Sequence, residues 1–350
     1  MDEETKDELK NRIIRVLQLL GVAVLVFFFY RFDFGELWRS VQEIALLWIP
    51  FIILFGFVNI VIRSLTWRYI VQVVSDKKIS SFFSMLSILA GISSGSIFPG
   101  RADIARPLIL KTEYDISITE SMSSMIIERI FYLISLLILF FISLSFFLRD
   151  YFVGFNFTLF ISLSGCLIIP IVILAYFPEK IFLFLKKIIL KTSISKKESI
   201  IKHLEYFLLS FKKLKNKKVV TIILFLSVSS VLVEALRMYW IFWLMNINVS
   251  LKIVAFSFFA SMLLSLVSMV PGGIGIYETS QSVIIYKIDS STEIETLKSA
   301  VVFVRLIYYY LIVLIGGVVL IFYKKNFIKM NGKPPSISCK IENSQYLEVK

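Results

Sequence analysis

Histidine is nearly absent, cysteine is scarce and charge is thin. The 350 residues hold one His, two Cys, 8 Pro and 14 Gly, and 18% of them are charged. His203 sits alone in a Lys-rich stretch, which points away from His-based catalysis and from a His-ligated metal. Cys166 lies in an apolar run and Cys339 near the C-terminus, a placement that offers neither metal-ligand spacing nor a disulfide framework. No Walker motif occurs, so the chain is not expected to hydrolyse ATP, and no cofactor is expected. No small-residue cleavage site follows the first apolar run, and MDEETKDELKNRIIR is acidic before it is basic, which speaks against a cleavable signal peptide. What abounds is apolar surface: 57% of residues are hydrophobic and 33 are Phe. A soluble domain is typically ~45–50% apolar and ~25% charged. A soluble enzyme, a disordered chain and a collagen-like chain are excluded. The composition reads as an all-α, polytopic helical membrane protein.

A bilayer core of ~30 Å takes about 20 apolar residues of helix. Six full spans are expected, over Ile13–Tyr30, Ala45–Val74, Ser121–Leu148, Phe155–Phe177, Val219–Met245 and Leu297–Tyr323. The net charge of +13 reads as cytoplasmic loops obeying the positive-inside rule, and nucleic acid is not an expected partner. Lys and Arg place both termini, residues 1–12 and 324–350, inside the cell membrane. Twelve Lys between Phe177 and Val219 place the linker 179–218 inside as well. That linker reads either as an amphipathic helix at the inner surface or as a basic topogenic loop. The tail after the last span is too short for a catalytic domain.

Two apolar stretches fit no simple span. Residues 79–118 begin with a Ser-rich run ending at Pro99, and must enter and leave on the inner side. Residues 251–288 break at Pro271-Gly272-Gly273 and must enter and leave on the outer side. Both read as re-entrant helical hairpins, although Leu251–Val270 is long enough to span alone. The hairpins share a pattern, Ser96-Ile97-Phe98-Pro99-Gly100 and Ser268-Met269-Val270-Pro271-Gly272. Arg63 with Trp67 precedes the first, and Arg237 with Trp240 the second. Two membrane halves, 13–178 and 219–323, are thus expected to form an inverted repeat, an arrangement that places a substrate near the midplane.

Charge at membrane depth is expensive and usually functional. Seven arginines (Arg63, Arg68, Arg101, Arg106, Arg129, Arg237, Arg305) meet four acids (Asp103, Glu128, Glu234, Glu278) in the apolar runs. Expected pairs are Arg101 or Arg106 with Glu128, Glu278 with Arg305, and Glu234 with Arg237 at i,i+3. Arg68 and Arg106 stand near span ends, where snorkelling is the alternative. Surplus Arg suits a phosphate, which the guanidinium fork binds bidentately. Arg101 and Arg305 are expected to hold it in one central cavity. The turn Pro271-Gly272-Gly273-Ile274-Gly275 reads as an anion nest or as a plain flexible tip.

Phe98-Pro99-Gly100-Arg101-Ala102-Asp103-Ile104-Ala105-Arg106-Pro107, the Glu128-Arg129 pair, Val270-Pro271-Gly272-Gly273-Ile274-Gly275-Ile276-Tyr277-Glu278 and Arg305 resemble the transmembrane region of lysylphosphatidylglycerol synthases and its stand-alone, flippase-like relatives. The resemblance covers about residues 10 to 325. It implies lipid translocation without synthase activity. By motif it assigns lipid handling to Arg101, Asp103, Arg106, Glu128, Arg129, Pro271, Gly272, Gly273, Glu278 and Arg305; the intramembrane charges Arg63, Glu234 and Arg237 join them. The leading expectation is a transporter, not an enzyme, that moves an anionic lipid headgroup. The alternative is a membrane glycosyltransferase or lipid-modifying enzyme using a lipid phosphate, against which the short outer loops weigh. A third reading is an accessory membrane subunit. The partners expected are membrane lipids, and a homo-oligomer is compatible with the sequence.

Overall fold

The computed structural model describes residues 35, 42, 47–97, 103, 105–151, 186–187, 197–214, 216–268 and 270–330. These residues form helices and no strand. The helices are α1 (Trp48–Ser75), α2 (Ser81–Ile97), α3 (Ala105–Tyr114), α4 (Ile118–Tyr151), α5 (Lys197–Lys213), α6 (Lys217–Leu244), α7 (Leu251–Val267), α8 (Ile276–Ile288), α9 (Ile294–Arg305) and α10 (Leu311–Met330). A π-helical turn, Leu306–Tyr310, joins α9 to α10.

Among the described residues, four helices are long and apolar enough to cross a membrane: α1, α4, α6 and the continuous rod Ile294–Tyr323. They match four of the six expected spans. The other two, Ile13–Tyr30 and Phe155–Phe177, lie outside the described residues, as do residues 1–12 and 331–350 and, in the linker, residues 179–185, 188–196 and 215. The helices α2 and α7 have 17 residues each. At ~1.5 Å per residue they reach about 26 Å, short of the ~30 Å core. The helix α7 stops at Val267, three residues short of the end of the apolar stretch Leu251–Val270.

The order long, short, short, long occurs twice. The helices α1 and α6 have 28 residues each. Local chemistry repeats too. Ser80 Oγ accepts the Phe83 N–H at 3.1 Å to start α2, and Ser250 Oγ accepts the Ile253 N–H at 3.4 Å to start α7. A left-handed residue follows each long helix, Asp76 (φ 57°) after α1 and Asn246 (φ 55°) after α6.

The halves interlock. The helices α1 and α6 pack together, α2 packs against α10 of the other half, and α7 against α4. The pair α1–α6 is antiparallel: the Phe55 ring lies 5.7 Å from Trp240, while Ile70 and Val74 cluster with Ile223. At the α2–α10 crossing the backbones nearly touch. A methyl group on Gly316 would fall 2.0 Å from the Leu89 carbonyl oxygen, and Ser93 Oγ donates to the Val313 carbonyl at 2.9 Å. The α7–α4 crossing is aromatic instead, with Phe256 stacked on Phe147 at 4.8 Å.

The linker yields a helix where the sequence left helix and loop open. Its Phe211 is buried with Phe131 of α4, and Lys213 Nζ donates to the Val74 carbonyl at 2.9 Å and pairs with Asp76. Thus α5 docks against the C-terminal end of α1 and the N-terminal half of α4.

Candidate functional site

Each hairpin carries a buried ion pair near its break. In the first half, Asp103 Oδ1 accepts the Arg106 N–H at 3.3 Å and the Ser94 hydroxyl at 3.2 Å. This caps the start of α3. The Arg106 guanidinium then bridges Asp103 and Glu128 of α4, and it lies over the Trp67 ring at 5.2 Å. Arg106 is only 3% exposed, so it does not snorkel. The cluster needs Gly91, where a Cβ would stand 2.2 Å from Asp103 Oδ2.

In the second half, Pro271–Gly273 makes one tight turn with Gly272 and Gly273 at positive φ, and Gly275 follows at φ 82°. Glu278 sits in the first turn of α8. Its Oε2 accepts the Gly275 N–H at 2.7 Å, and its Oε1 accepts Arg305 Nε at 2.8 Å. Arg305 Nη2 also donates to the Gly272 carbonyl at 3.0 Å, and the guanidinium lies 4.7 Å from the Tyr277 and Tyr309 rings. Two N–H groups of the turn read as an anion nest or a plain tip are engaged within the chain. The Gly275 N–H is held by the chain's own Glu278, and the Gly273 N–H donates to the Val270 carbonyl at 2.9 Å.

Between the hairpins, α1 and α6 meet through a polar contact. Asn59 Nδ2 donates to the Ser230 carbonyl at 2.9 Å and to Glu234 Oε1 at 3.2 Å. The expected Glu234–Arg237 pair is absent among the described residues. Glu234 goes to the amide across the interface, and Arg237 lies flat on Tyr308 of the π turn at 3.6 Å. An i,i+3 spacing permits an ion pair, but the neighbouring helix offers each partner something closer.

These elements enclose a cavity of about 390 Å³. Arg63, Arg106, Arg129, Arg237 and Arg305 line it, with Asp103, Glu128 and Glu234. Ile92, Leu133, Phe258, Met262 and Leu266 give it apolar walls. Arg63 and Arg237 have no ion pair among the described residues, and the buried Nε of Arg237 has no hydrogen-bond partner there. A family model described as the lysylphosphatidylglycerol synthase TM region matches residues 14–316. The chain belongs to this family of membrane proteins. A relative is the UPF0104 membrane protein MJ1078 of Methanocaldococcus jannaschii, 29% identical over 187 residues, which are 52% of this chain and 74% of the relative.

The lysylphosphatidylglycerol synthase TM motifs do not all reach the cavity. Pro271, Gly272, Gly273 and Glu278 are not among the residues that line it; Glu278 and the Gly272 carbonyl hold Arg305, which does. Arg101 lies outside the described residues. Arg68 is elsewhere, donating to the Ile79 carbonyl at 2.7 Å in the turn between α1 and α2. Sequence reasoning missed Asn59, Tyr308 and Tyr309. The signals were there: an amide within an apolar run, and three tyrosines just after Arg305.

Proposed function

We propose that this protein moves an anionic phospholipid, or a lipid-linked phosphate headgroup, across the cell membrane through the Arg-lined cavity. One observation carries the reading: Arg63 and Arg237 line an apolar-walled cavity, and neither makes an ion pair among the described residues. Unpaired charge at such depth is costly unless an anion or water compensates it. A lipid phosphate supplies that anion, and its acyl chains suit the apolar walls and the surrounding bilayer. In this reading the two hairpins open to opposite membrane faces and both termini are cytoplasmic. Labelling of single cysteines at Lys111 from inside and Asn248 from outside tests that topology; labelling of both from one side refutes it.

The function itself is tested by reconstituting the purified chain in liposomes with fluorescent lipids of different headgroup. Protein-dependent exchange between leaflets, faster for anionic than for zwitterionic lipids, is expected. Turnover of a lipid-phosphate donor into a new product without exchange would favour the enzyme reading instead.

A further inference from the structure

The two arginines without ion pairs stand at different depths. The antiparallel pair α1–α6 is joined where Asn59 of α1 meets Glu234 of α6. Arg63 follows Asn59 by one helical turn, and Arg237 follows Glu234 by nearly one turn. On antiparallel helices these steps lead opposite ways. At ~1.5 Å per residue the two positions are about 10 Å apart along the helix axes. Each has its own surroundings. Arg63 and Arg106 are within electrostatic reach of Arg129, at the first hairpin's lock. Arg237 and Arg305 are within reach of Tyr277, at the second. Between the two lies Glu234, whose carboxylate is bonded to an amide and to no cation among the described residues. A phosphate midway would meet that negative charge, so the cavity has two favourable places for an anion, with an unfavourable one between.

Resting on the transport reading, we infer that Arg63 and Arg237 form two separate stations for one phosphate oxyanion, one from each half of the repeat, occupied in turn. Arg305 and Arg106 are already engaged by carboxylates and serve as the positive background of each station.

The test uses the full chain in detergent micelles and an arginine reagent, phenylglyoxal, with modified sites read by mass spectrometry. The probe is dihexanoyl phosphatidylglycerol, with inorganic phosphate as the second arm. The lipid should slow modification of both Arg63 and Arg237 by about tenfold, the scale of one charge-assisted hydrogen bond. In Arg63→Gln it should still protect Arg237, and in Arg237→Gln still protect Arg63. Where a Gln variant does not fold, the Lys variant replaces it, since phenylglyoxal ignores Lys and the protected residue is the other one. Loss of protection at one station when the other is substituted would mean a single shared site and overturn the inference. Lack of protection at either Arg, while the wild type still exchanges lipid in liposomes, would also overturn it and leave transport standing. Protection at both without lipid exchange would keep the stations and remove transport. Equal protection by inorganic phosphate at the same concentration would overturn the lipid as its source.

Discussion

The two hairpin breaks solve one problem with opposite charges. Asp103 and Arg106 stand four and seven residues after Pro99; Gly275 and Glu278 stand four and seven after Pro271. In the first half the acid sits at the helix start and reaches forward to the Arg106 N–H. In the second the acid sits one turn in and reaches back to the Gly275 N–H. The partner on the long helix changes sign accordingly, Glu128 against Arg106 and Arg305 against Glu278. What the repeat preserves is therefore not a residue type but a role: a carboxylate at the helix start and a charge pair to the long helix. The first lock holds two acids on one guanidinium, the second one acid on one guanidinium plus a carbonyl.

The locks should then fail unequally. Arg106→Ala leaves both Asp103 and Glu128 buried without their cation, at a cost of about 3–5 kcal/mol. Arg305→Ala orphans Glu278 alone, which keeps its bond to Gly275, and should cost about 1–3 kcal/mol. Melting temperature and monodisperse yield of the two variants in detergent measure this; equal losses would break the comparison. Alanine at the two glycines sharpens it. Gly91→Ala pushes a methyl into Asp103, whereas Gly272→Ala meets both the Tyr309 hydroxyl at 2.4 Å and a left-handed φ of 65°. Adding Tyr309→Phe should recover part of the Gly272→Ala loss, leaving about 1–2 kcal/mol of backbone strain, and should recover nothing for Gly91→Ala. The smallest effects belong to the two mirrored crossings. Ser93→Ala removes the bond to the Val313 carbonyl, and Phe256→Ala removes a ring stacked at 4.8 Å. Each should lower stability by about 1 kcal/mol in the same melting assay, with unchanged oligomeric profile.

Much of this was legible because charges inside apolar runs have few partners to choose from. Arg305 with Glu278 follows from that scarcity; for Glu128 the scarcity left Arg101 and Arg106 open, and the structure pairs it with Arg106. The four described spans and the Pro-Gly break of the second hairpin follow from run length and from residues that helices reject. The fate of Glu234 and Arg237 did not follow. Adjacent on one helix, they separate because Asn59 and Tyr308 arrive from elsewhere in the fold, and no spacing within α6 encodes that arrival. The anion-nest reading of residues 271–275 loses the Gly275 N–H for a related reason. A free N–H in a tight turn attracts the nearest acid, and Glu278 lies three residues on.

The π turn Leu306–Tyr310 has a geometric consequence for the last rod. A π turn holds about one residue more than an α turn, so everything downstream is rotated by about 100° relative to an unbroken α-helix. Arg305 precedes that step and lines the cavity, while Gly316 follows it and seats α10 on Leu89. The rod is thus two helical wheels with a phase offset between them, the first carrying Arg305 to the cavity and the second seating Gly316 on Leu89. A single wheel drawn from Ile294 to Tyr323 misplaces half its faces.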